Sequence, residues 1–123
     1  MKKVKICLAL LVLVFVAQQP AAAQDKILIV HDELPQMKFL AELLHERCAY
    51  DVEIKTQNEM PAELSSYRSV IVFIHGKMFE EPEKAFIAYT KAGGRLIVLH
   101  HSISSGKRSN KFWFDFLGIK LPE

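Results

Sequence analysis

Three apolar runs in this chain end on histidine: KILIVH on His31, VIVFIH on His75, and RLIVLHH on His100 and His101. Four of the five histidines therefore stand at the ends of strand-like segments. Neighbouring strands lie roughly 4.8 Å apart, so imidazoles at equal heights on adjacent strands can converge on one ligand. Asp32 and Glu33 follow His31 directly, and a histidine paired with a carboxylate can act as a general base near neutral pH. On this reading His100 and Asp32 are the candidate catalytic groups, and His31, His75, His101 and Ser102 are the ligand contacts. The plainer reading is that a buried strand reaching the surface needs polar residues and half-apolar imidazole serves, while Asp32 caps the turn into the next helix.

Other chemistry is weighed from the same residues. Three imidazoles can hold zinc, but no compact metal motif such as H-E-x-x-H occurs, so no metal ligand set is assigned. No G-x-G-x-x-G follows KILIV and no P-loop occurs, so no nucleotide cofactor is expected. G-x-S-x-G is absent, which removes the hydrolase nucleophile elbow. SISSGKRSNK, residues 102–111, reads as a solvated loop that could also offer hydroxyls and cations to an anionic ligand. FWFDFLG reads mainly as core, with Phe112 and Phe116 on the sheet-facing side and Trp113 or Phe114 left outside.

The elements that position these residues follow from periodicity. Ile27 to Val30, Val70 to Ile74 and the run after Arg95 are continuous and rich in β-branched residues, as in strands buried on both faces. Tyr50 to Lys55 alternates and belongs nearer an edge. Met37, Leu40, Ala41, Leu44 and Cys48 recur at helical spacing, which predicts a helix with Cys48 buried on its apolar stripe. A second helix runs from about Glu80 to Ala92, with acidic residues in its first turn and Gly93–Gly94 stopping it. Ser109 or Asn110 caps a short third helix ending at Gly118. The alternation predicts an α/β fold with parallel crossovers, and a strand order of 2-1-3-4 would put the histidine-bearing ends along one edge of the sheet.

The first 23 residues are expected to be a signal peptide: a basic start, an apolar run of about 12 residues where a spanning helix needs roughly 20, and a small-residue region with cleavage after Ala23. The mature domain is then residues 24–123, secreted or periplasmic, with no stable membrane span. Removal takes three of the 16 basic residues and none of the 14 acidic ones, turning a formal charge of +2 into about −1. A basic surface for nucleic acid is therefore not expected. Cys48 alone remains, so no internal disulfide can form.

KILIVHDE, YRSVIVFIHG, AFIAYTKAGGRLIVLHHSISS and FWFDFLGI together resemble the ThuA-like (trehalose-utilisation) family, over residues 26–123. The resemblance implies a flavodoxin-like three-layer sandwich with the class I glutamine-amidotransferase-like fold, and an association with carbohydrate utilisation. His100 lies where that family has a strand-end histidine. A cysteine nucleophile follows the corresponding strand in true glutamine amidotransferases; here His100, His101 and Ser102 fill that region, so glutaminase chemistry is not implied. Such domains normally continue beyond the Leu-Gly segment, so the chain looks like the amino-terminal part of one, with an uncovered sheet edge open to self-association or a partner. The expectation is an exported domain that binds or processes a carbohydrate-derived small molecule, as a hydrolase or isomerase if it is an enzyme. A non-catalytic domain or remnant is the alternative, and a metal-binding protein the second.

Overall fold

Residues 27–30 carry only aliphatic side chains, so a strand built from them needs cover on both faces. In the computed structural model, which describes residues 25–122, they get it. The expected signal peptide and its cleavage point lie outside those residues. Strand β1 (Lys26–His31) is followed by helix α1 (Leu34–Cys48), β2 (Asp51–Thr56), β3 (Ser69–Phe73), α2 (Glu80–Lys91), β4 (Arg95–Val98), two short 3-10 turns and α3 (Trp113–Leu117). All four strands are parallel, in the order β2-β1-β3-β4. Ile29 is level with Ile54 on β2 and with Ile71 on β3, and Ile71 with Ile97 on β4.

Side chains alternate across this sheet and make two cores. On one face Ile27, Ile29, Ile71 and Phe73 pack under Met37 and Ala41 of α1. On the other, Leu28, Val30, Val70 and Val72 meet Phe86 and Tyr89 of α2 and Trp113 of α3. Leu28, Ile29, Val30, Val70 and Val72 are wholly removed from solvent, each contributing about 1.5–3 kcal/mol of transfer free energy. Among the described residues, no helix is long and apolar enough to cross a membrane.

Three expectations are corrected here. The run after Arg95 is not a third doubly buried strand: β4 is the sheet's edge, with Leu96 and Val98 half-buried under α2 while Arg95 and Ile97 are exposed. Ile97 is 47% exposed because α1 covers the other strands of its face. Cys48 is exposed, as is the whole last turn of α1, which ends there. The aromatic assignment changes at two positions, while Phe116 packs against the core as expected. Trp113 is buried and Phe112 is 47% exposed, because the helix begins only at Trp113 and leaves Phe112 at its N-cap.

Turn chemistry fixes the crossovers. Gly93 takes φ +94° after α2, and a side chain on Gly94 would collide with the Tyr89 ring, so both positions need glycine. After α1 the same left-handed position, φ +57°, is filled by Ala49, which costs a residue with a Cβ on the order of 1 kcal/mol. Ala49→Gly is therefore expected to stabilise the fold by up to about 1 kcal/mol, read as a higher urea midpoint, with the gain reduced by glycine's freedom in the unfolded chain.

The amino ends of the strands are tied by a polar cluster. The Tyr67 hydroxyl donates to Glu53 Oε2 at 2.6 Å, Lys26 Nζ lies 3.0 Å from the same oxygen, and the Tyr89 hydroxyl donates to the Tyr67 carbonyl at 2.9 Å. The Tyr67 hydrogen bond, with Lys26 beside it, lowers the Glu53 pKa to about 2. Burial, reinforced by Glu53, raises that of Tyr67 to about 12. Glu53 thus stabilises the fold above its ordinary value near 4.5, a contribution lost as pH falls toward about 2. Tyr67's contribution is intact below its ordinary value of 10 and lost as pH rises toward about 12. Tyr67→Phe should flatten both slopes in denaturation midpoints measured across pH.

Candidate functional site

At the carboxyl edge the strands stop at different heights, and backbone beyond them must find partners elsewhere. β1 ends on His31 and β3 on Phe73, while β4 stops at Val98, before its histidines. His100 and His101 consequently lie on a 3-10 turn, His100–Ile103, so strand alternation does not govern where they point.

Three side chains partner the peptide groups of Ile74, His75 and Gly76. Asp32 Oδ1 accepts from the His75 amide at 2.7 Å and Oδ2 from the Gly76 amide at 2.6 Å. Ser102 Oγ accepts from the Ile74 amide and donates to the Val72 carbonyl, both at 2.9 Å. Lys107 Nζ donates to the carbonyls of Ile74 (2.5 Å), His75 (2.8 Å) and His101 (2.8 Å), with Ser104 Oγ at 3.2 Å. Trp113 Nε1 fastens the same corner by donating to the Ser102 carbonyl at 2.8 Å.

This geometry assigns the sequence-derived candidates different places. Asp32 is spent on the β3–α2 loop: it neither orients an imidazole nor caps α1, whose N-cap position is Glu33. Ser102 is completely buried, with its hydroxyl used twice by backbone. His31 is 7% exposed on the α1 side of the sheet, its Nδ1 without a partner, and among the described residues its ring stacks on none of the other three. His75, His100 and His101 do assemble. The His75 and His101 rings stack with centroids 4.4 Å apart at 26°, and His100 stands edge-on to His101 at 5.1 Å. Phe73 closes the inner side of His101, edge-on at 5.4 Å.

The carboxylate that faces an imidazole is Glu33, whose Oε1 lies 3.4 Å from His75 Nδ1. A carboxylate beside a ring nitrogen is an arrangement that can orient an imidazole. The His75 side chain is 58% exposed, so the pair contributes little to folding, about 0–1 kcal/mol, and is open to a ligand. Among the described residues, no group of three or more His, Cys, Asp or Glu is placed to hold a metal ion. A cavity of about 790 Å³ lies at the other end of the sheet, among Tyr67, Arg68, Tyr89 and Arg95, away from every candidate residue.

Lys107 is the residue that sequence reasoning missed. It stands in a polar run that reads as a solvated loop, yet it is fully buried, and burial pushes its pKa below the ordinary lysine value against the opposing pull of Asp32. Asn110 and Glu83 were equally hidden. Asn110 does not cap α3; its amide donates to the Met78 carbonyl and to Glu83, whose buried carboxylate also accepts the Phe112 amide at 2.8 Å.

Compared with family models, with characterised proteins and with solved structures, the chain gives no match. Function must therefore be argued from the edge itself. The loop-holding role of Asp32 has a direct check: Asp32→Ala leaves two amides without an acceptor and is expected to cost about 2 kcal/mol in urea denaturation, whereas Asp32→Asn, which keeps one acceptor oxygen, recovers part of that.

Proposed function

We propose that the chain is an exported ThuA-like domain of flavodoxin-like type that binds a small polyhydroxylated, carbohydrate-derived ligand at the carboxyl edge of its sheet. The observation that carries this reading is the exposed Glu33–His75 pair, 3.4 Å apart, with His101 stacked on the same imidazole. Carboxylate and imidazole nitrogens accept and donate in the fixed directions that sugar hydroxyls require, and the open ring faces offer apolar surface for C–H groups. The parallel sheet supports the placement, since open α/β sheets bind ligands beyond the carboxyl ends of their strands.

In this reading Glu33 orients His75, and His75 Nε2 accepts a proton from a ligand hydroxyl. His101 supports the ring, and His100 flanks the opening from the 3-10 turn. Asp32 and Ser102 shape the edge without touching the ligand. Which bond would be made or broken follows from the ligand, and a purely binding domain uses the same contacts. The resemblance in sequence supports the carbohydrate class, and the basic, apolar and small-residue succession of the first 23 residues supports export.

Titration with trehalose and with glucose, followed by amide and imidazole NMR shifts, tests this. Saturable shifts centred on His75, Gly76 and His101 are expected, with affinity falling about tenfold in His75→Ala, one lost charge-assisted hydrogen bond. Shifts that are absent, or unchanged in that variant, would sink the reading.

A further inference from the structure

Resting on the site reading above, we propose that Lys107 is the positioning residue of the histidine pair: its ammonium holds the backbones of His75 and His101 together and so sets the stacked imidazoles. His75 follows β3 and His101 lies on the 3-10 turn after β4, 26 residues later in the chain. Among the described residues, the Lys107 ammonium is the one hydrogen-bonding group that touches the backbone of both, at 2.8 Å from each carbonyl.

The surroundings of this ammonium argue for more than filling space. A buried cation is ordinarily paired with a carboxylate, whereas Lys107 meets only neutral oxygens: Ile74 O, His75 O, His101 O and Ser104 Oγ. An ammonium has three protons to donate, and the three shortest of these contacts are the three carbonyls. Its protons are therefore committed to the two loops that carry the rings. A neutral apolar side chain could fill the same volume, but it would leave those carbonyls without a donor and the two loops without a common partner.

Lys107→Met keeps the length and removes the charge. In the parent chain the ring protons of His75 and His101 should give an inter-ring NOE, as centroids 4.4 Å apart require. That NOE is expected to disappear in Lys107→Met while the NOEs between β1 and β3 persist. Val70→Ala, which weakens the core on β3 without touching the edge, should keep it. A folded Lys107→Met chain with the inter-ring NOE intact overturns the proposal. Should that variant fail to fold, the parent decides: couplings transmitted through hydrogen bonds from Lys107 15Nζ to the carbonyl carbons of His75 and His101 are expected, and their absence overturns it equally. Sugar titrations without response, alongside an intact NOE and these couplings, would remove the ligand reading and leave the role of Lys107 standing.

Discussion

Five consecutive residues at the end of β3, Val72 to Gly76, leave the sheet with peptide groups that parallel pairing no longer fully serves, and the carboxyl edge is organised around that deficit. The Val72 carbonyl takes the Leu99 amide and the Ser102 hydroxyl, and the Phe73 carbonyl takes the Asp32 amide. The Ile74 amide goes to Ser102 and its carbonyl to Lys107; the His75 amide goes to Asp32 and its carbonyl to Lys107; the Gly76 amide goes to Asp32. An unpaired buried peptide group costs on the order of 1–3 kcal/mol. Side chains from three different segments act here in place of a neighbouring strand.

Energetically the two ends of the sheet work differently. At the amino end, Tyr67, Glu53 and Lys26 form a side-chain cluster whose strength follows protonation, as the displaced pKa values of Glu53 and Tyr67 indicate. At the carboxyl end each bond joins a side chain to a backbone group, with Asp32 accepting two amides and Lys107 donating to three carbonyls. The central strands between them supply most of the apolar burial, with β1 and β3 covered on both faces and β2 and β4 at the edges. The α/β architecture thus rests on two strands, while the loops rest on three polar side chains.

Much of this was legible in the sequence because it depends on periodicity. The unbroken runs at Ile27 and Val70, the helical spacing from Met37 to Leu44, and Gly93–Gly94 fix element types, and the alternation of strand and helix points to parallel crossovers, of which the order 2-1-3-4 is the arrangement observed. What was not legible depends on partners distant in sequence. Arg95–Val98 has the composition of a buried strand, but only topology makes it an edge. Lys107 looks solvated because its neighbours are Ser, Gly and Arg, and its four acceptors lie at residues 74, 75, 101 and 104. The site was legible in its imidazoles and not in its wiring: the carboxylate facing His75 is Glu33, while Asp32, the more obvious partner, holds a loop.

The three anchors share one property: Asp32, Ser102 and Lys107 bind peptide groups, of His75 and His101 or of the residues on either side of His75, never the imidazoles themselves. Peptide groups are the same whatever side chain they bear. The identities of residues 75, 100 and 101 are thereby uncoupled from the bonds that hold their loops, and these positions can change chemistry at little cost to folding. The frame is conservative and the rim is interchangeable, which makes this edge a platform on which side chains of quite different reactivity can be mounted.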